Sequence, residues 1–261
     1  MCDLESGDSM YDIPMNEVSP AFAECWQAAG RHLQQQGQGS INWLRAHLQP
    51  PMLEHLSFRL GNQLFFVRLE EVDGNLDVPA SRAGLLSIAE GCAGQACLMP
   101  MRKGSNGWLP ALPRWGLQDA ITEELVDPPS LITDKKIEMT DWELQDFAVQ
   151  IVRQQLEKSG CELMSWQSNP AVDPSIWFVG NDGPEWVIVR FVRYPENQAS
   201  APKNWRSVAE NCSKLSKRGN FASVGFACME TISAGGQLYR GYPVVPKYDG
   251  LAPIHKAGNP N

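Results

Sequence analysis

Apolar residues recur along this chain at two periods, about 3.6 and about 2, and the changes from one to the other mark its elements. The clearest stretch runs from Asp173 to Tyr194, DPSIWFVGNDGPEWVIVRFVRY. Ser175–Gly180 is an apolar run, and Asn181-Asp182-Gly183-Pro184 is strong turn chemistry. Trp186–Tyr194 is rich in β-branched and aromatic residues, so the stretch predicts two strands and a tight turn. Alternation puts Glu185, Val187 and Val189 on one face of the second strand and Trp186, Ile188 and Arg190 on the other. Before it, Thr140-Asp141-Trp142-Glu143 reads as a capping box, with Thr140 as N-cap and Glu143 reaching back to its amide. That helix runs to about Lys158, with Gly160 just past its end, and Glu162–Trp166 follows as a strand. Trp205, Val208, Cys212 and Leu215 share one face and predict a helix over Asn204–Arg218. Phe221–Met229 is a strand and Leu238–Val245 is another candidate.

The first half reads in the same order. A helix over Ala21–Gln36 closes at Gly37, and Ser40–Leu48 is ambiguous between helix and strand. Leu56–Leu60 and Leu64–Val72 are strands split by Gly61-Asn62. A short helix over Ser81–Cys92 leads to a strand over Gln95–Met101, and Trp108–Trp115 is extended and proline-punctuated. Residue matches support the parallel. Leu33, Gly37, Ile41 and Trp43 match Leu156, Gly160, Met164 and Trp166 at a constant offset. Val67-Arg68-Leu69 matches Val189-Arg190-Phe191, and Ile88-Ala89-Glu90 matches Val208-Ala209-Glu210. The offset changes only where loops are expected, as in a tandem duplication. The expected architecture is α/β: two α-β-β-β-α-β modules, each a mixed sheet flanked by helices, packed as a pseudo-dimer. Residues 1–20 read as a flexible arm, 21–128 as the first module, 129–141 as a linker and 142–261 as the second module.

Charge narrows the partners. Residues 1–130 hold 8 Lys/Arg against 16 Asp/Glu, while residues 131–261 hold 14 against 14. An acidic first half argues against broad binding to a phosphate backbone and suits a protein partner. The seven cysteines include no CxxC pair, and the four histidines show no metal-ligand spacing, so reduced thiols and no zinc are expected. The N-terminus is acidic without an apolar core, and no apolar run reaches about 18 residues. A soluble cytoplasmic protein is therefore expected.

From QLEKSGCELMSW through DPSIWFV to EWVIVR, the second half resembles the core of the restriction-endonuclease-like, PD-(D/E)XK superfamily. The likeness covers Trp142 to Met229 and lies in a helix, a Gly, a strand ending in Trp, Asp-Pro before a strand, then an acid-led strand. It implies a divalent metal, Mg²⁺, held by two acids, with Asp173 as the first and Glu185 as the second. The lysine expected two residues after Glu185 is Val187, and aligning the family's Pro-Asp on Pro174-Ser175 removes the first acid. In the first half, Glu54 matches Asp173 and the Glu185 region reduces to Gln63. Two function classes follow. One is a non-catalytic pair of degenerate modules that binds a macromolecule, foremost a protein, and needs no cofactor. Secretion chaperones of the type III class offer a second structural analogy for it, as would an acidic immunity protein. The other is a metal-dependent nuclease. Candidate binding residues are Arg68 and Arg190, at equivalent places in both halves, and Trp108 and Trp115, which can line a groove or clasp the other half. Lys203, Arg206, Lys214, Lys217 and Arg218 cluster on the last helix and read first as a solvated face.

Overall fold

The computed structural model describes residues 18–44, 55–74, 76–79, 81–228 and 236–257. The arm over residues 1–17, Glu54 and most of the uncertain stretch after Leu44 lie outside them.

Helix α1 (Pro20–Gly37) starts where Ser19 accepts the Phe22 amide at 3.1 Å and Pro20 supplies a preset φ at the first turn. Phe22, Cys25, Trp26, Ala29 and Leu33 recur at helical spacing, and that stripe is buried. Strands β1 (Asn42–Trp43), β2 (Leu56–Leu60) and β3 (Gln63–Glu71) follow as an antiparallel ladder. Helix α2 (Arg82–Gly91), capped by Ser81, carries the chain over to β4 (Gln95–Gly104), which runs parallel to β3. The stretches β5 (Gly107–Pro110), β6 (Leu117–Asp119) and β7 (Leu125–Val126) complete a seven-stranded mixed sheet in the order β1-β2-β3-β4-β6-β7, with β5 beside β4. Helix α1 covers one face, over Phe58, Phe65, Val67 and Met99. Helix α2 covers part of the other, over Leu64, Phe66 and Leu98.

The second module repeats the order. Helix α3 (Asp141–Lys158) opens with the predicted capping box: Thr140 accepts the Glu143 amide at 3.4 Å, and Glu143 accepts the Thr140 amide at 2.9 Å. Strands β8 (Glu162–Trp166), β9 (Ile176–Gly180) and β10 (Gly183–Arg193) are antiparallel neighbours. Helix α4 (Trp205–Cys212) leads to β11 (Gly219–Ala227), parallel to β10. Strands β12 (Val245–Tyr248) and β13 (Ala252–Pro253) pair with β11, and α5 (Ile254–Ala257) ends the described chain. The predicted alternation holds in β10. Val187 and Val189 pack beneath α3, while Trp186 and Ile188 pack beneath α4. Gly219 is required there, because a Cβ at that position would lie 2.1 Å from the Trp186 ring.

Two predicted spans are corrected. The last long helix stops at Cys212 and not at Arg218, since the Ser213 hydroxyl donates to the Glu210 carbonyl and Leu215, the outermost member of the predicted stripe, is exposed. Leu238–Val245 is no strand: only Tyr239 bridges to Glu138, and the strand begins at Val245. The short strands β6, β7 and β13 carry two or three residues each, too few to show a period.

The modules pack on one another through surfaces that are not equivalent. Trp142 of α3 meets Phe66 of β3 edge-on at 5.4 Å, within the cluster under α2. Phe66 corresponds to Ile188 in the second module, yet Ile188 sits under α4 among residues of its own module. Asn62, in the β2–β3 turn, donates to the Thr133 and Lys135 carbonyls of the connecting segment, each at 2.8 Å. The Gln150 side chain donates to the Leu44 carbonyl at 2.9 Å. Among the described residues the modules thus pair through non-equivalent surfaces and not through one self-complementary patch.

Candidate functional site

The β9–β10 hairpin decides what Asp173 can do. Gly180 pairs with Gly183 across a two-residue turn, and Ile176 pairs with Val187. Extending that register places Asp173 opposite Arg190. There the Arg190 guanidinium donates to both Asp173 oxygens, through Nη1 to Oδ1 at 3.0 Å and through Nη2 to Oδ2. The pair is largely enclosed, with side-chain exposures of 6% for Asp173 and 18% for Arg190. A forked, charge-assisted contact of this kind engages both carboxylate oxygens and sets beside them a positive charge that would repel a divalent cation.

Glu185 lies elsewhere. It pairs with Phe178 near the turn, and its Oε2 accepts from Asn220 at 2.9 Å. Arg190, the residue facing Asp173, is five positions further along the strand, about 16 Å at the usual rise per residue. Two oxygens on one Mg²⁺ are within about 5 Å of each other. Asp173 and Glu185 therefore do not form the metal-holding pair that the resemblance implied. The residue that faces Asp173 is a base, where shared coordination needs an acid. Val187, at the lysine position, is wholly buried under α3. Among the described residues, no group of three or more His, Cys, Asp and Glu side chains is placed to hold a metal.

In the first module the same register puts His55 opposite Arg68, one step beyond the Leu56–Val67 pair. Arg68 forms an ion pair with Glu70 on its own strand. Gln63, the counterpart of the Glu185 region, is buried and donates to Asn62 at 3.3 Å. Both arginines singled out in the sequence are thus ion-paired within their own modules. Trp108 and Trp115 are corrected as well. Neither lines a groove nor clasps the other half: both are buried with the α1 stripe, where Trp115 stacks on Phe58 at 6.4 Å. Lys103 lies over the Trp108 ring at 5.7 Å.

The basic residues around α4 do not converge. Arg206 covers Trp205, Arg218 lies 3.7 Å from Asp182, and Arg193 is taken up by Asp141 at 2.7 Å and the Met139 carbonyl at 3.2 Å. Lys203, Lys214 and Lys217 are exposed. That is a solvated helix face.

The densest charge chemistry lies at the boundary between modules, around Glu143 and Arg240. Arg240 is completely buried and reaches Glu143 through Nε at 3.0 Å and Nη2 at 2.8 Å. It also donates to the Ala93 carbonyl at 2.9 Å and to that of Cys92, both at the end of α2 in the other module. The strap that carries it is tied to the connecting segment. The Met139 amide donates to the Leu238 carbonyl at 2.7 Å, and the Arg240 amide to the Ile137 carbonyl at 2.9 Å. Lys136 lies 5.5 Å from the rings of both Tyr239 and Tyr242. Arg59 of β2 faces the same Glu143–Arg240 pair, and burial pushes its guanidinium below the usual range. Arg153 of α3 stands over Trp166 at 4.7 Å and is lowered by burial as well. Asp146, also buried, accepts from Ser168 at 2.8 Å and from Gln150 at 2.6 Å. Of these groups, Arg240 and Gln150 tie one module to the other, while Arg153 and Asp146 are held within the second module. The capping box announced Glu143, but the residue that neutralises it is 97 positions away and has no local motif.

Residues 142–254, less than half of the chain, match a family described as a domain of unknown function, DUF8840. The match covers α3 through the start of α5, which is the second module. No curated protein and no solved structure matches the chain. No helix among the described residues is long and apolar enough to cross a membrane.

Proposed function

We propose that this chain is a non-catalytic cytoplasmic protein. In this reading two degenerate restriction-endonuclease-like modules, copied and fused, bind another macromolecule, most directly a protein. The observation that carries the proposal is the Asp173–Arg190 fork. A metal-dependent phosphodiesterase needs a second carboxylate within a few ångströms of the first. The register of β9 and β10 offers a guanidinium at that place. The shared element order, helix, three antiparallel strands, crossover helix and parallel strand, supports a common ancestry of the two modules. The acid excess of the first half favours a protein over a nucleic acid.

The test pairs two assays on the full chain. The first incubates it with supercoiled plasmid or single-stranded RNA and Mg²⁺ or Mn²⁺. The second is chemical crosslinking in the native host, followed by mass spectrometry. The expected result is no cleavage beyond that of an Asp173→Ala control, together with crosslinks to one protein in fixed proportion. Cleavage that disappears in Asp173→Ala would replace this reading with a nuclease.

A further inference from the structure

The outer edge of the first sheet carries a feature that the α3–α2 boundary does not cover. Strand β7 ends the strand order and, among the described residues, pairs with β6 alone. Among the described residues no strand pairs with its other edge, and an open edge of this kind can accept an added strand. Beside it is a groove of about 360 Å³ lined by Pro113, Arg114, Leu117, Leu125, Val126 and Asp127. Leu125 is 60% exposed, and Ile121, in the turn joining β6 to β7, is 74% exposed. An apolar groove next to an open strand edge is the geometry of strand addition, with the backbone supplying affinity and the groove taking alternate side chains.

The charge around the groove selects the occupant. Glu124 and Asp127 flank β7 and make no ion pair among the described residues. Glu123 is shared with Arg82 at 3.4 Å. Asp119 accepts the amides of Thr122 and Ile121, each at 2.8 Å, and the Thr122 amide above all keeps its carboxyl below the usual range. Arg114 is the one base lining the groove. The rim is therefore acidic.

We infer that this edge of the first module is a docking site for an extended segment of a partner protein that alternates apolar with lysine or arginine residues. The apolar side chains enter the groove, the bases meet Glu124 and Asp127, and the peptide backbone pairs with β7. This inference rests on the protein-binding reading and gives it an address.

The test measures fluorescence anisotropy of labelled Val-Lys repeat peptides on the full chain, beside Val-Glu repeats and a Val-Lys peptide N-methylated on alternate amides. Saturable binding of the Val-Lys peptide is expected. It should weaken about tenfold in Leu125→Ser and about threefold in Glu124→Gln. The N-methylated and Val-Glu peptides should bind far more weakly. Both substituted residues are exposed, so the variants should keep the wild-type circular dichroism spectrum. Equal binding of Val-Glu, indifference to N-methylation, no effect of Leu125→Ser, or no binding at millimolar peptide would each overturn the inference. Metal-dependent cleavage lost in Asp173→Ala would defeat the functional reading without touching this result. Failure of the peptide assay alone would leave a protein partner docking at another surface.

Discussion

Replacing Arg240 with alanine is expected to lower the unfolding free energy by about 3–5 kcal/mol. The reason is not the loss of an attraction as such. Glu143 is buried, and without the guanidinium its carboxylate loses its ion-pair partner and keeps only the nearby charge of Arg59. The Cys92 and Ala93 carbonyls lose their donor at the same time. A double replacement, Arg240→Met with Glu143→Leu, should cost much less than the single change, because two apolar side chains remove the buried charge altogether. The measurement is the urea midpoint of each variant. If Arg240→Ala unfolds like the wild type, the strap is not the pin between the modules.

The second large effect is loss of stability in alkali. Burial pushes the thiols of Cys25 and Cys97 up to about 12 and that of Cys212 up to about 11. Burial likewise raises the Tyr248 hydroxyl to about 12. Each of these groups is neutral when protonated, and each keeps its proton more tightly in the folded chain than in the unfolded one. Their contribution is therefore complete below an unfolded thiol value of about 9 and is lost as pH climbs from there toward 12. Each thiol adds a slope of up to about 1.4 kcal/mol per pH unit in that window. The urea midpoint, followed from pH 7 to 11 under reducing conditions, should stay level to about pH 8.5 and then fall. Cys97→Ala should fall less steeply. A midpoint unchanged up to pH 11 would mean that these thiols are solvated.

The fold was legible wherever a period ran for ten residues or more. The helices over α1 and α3, the alternation in β10 and the capping box all translated directly into structure. The five-residue strands β2, β8 and β9 were legible from their apolar runs and flanking turns, whereas the two- and three-residue strands β6, β7 and β13 escaped, as did Leu215, whose spacing extended a helix beyond the last residue that the core actually covers. The candidate site was half legible. Asp173 stands where an acid was expected, but its partner was sought by spacing along the chain, which pointed to Glu185. Strands meet by register, and the register follows from the turn. Counting outward from the two-residue loop between Gly180 and Gly183 gives Arg190. The prolines around Trp108 and Trp115 suggested a surface segment, yet β5 packs along α1 and takes Trp108 inward. Arg240 left no local trace, because its meaning is set by groups roughly a hundred residues away.

Calorimetric titration of the full chain with Mn²⁺, beside the Asp173→Ala variant, bears most directly on the proposal that Arg190 stands where a metal would have to bind beside Asp173. The account predicts identical traces with no saturable heat in either protein. A one-to-one binding isotherm in the wild type that vanishes in Asp173→Ala would contradict it.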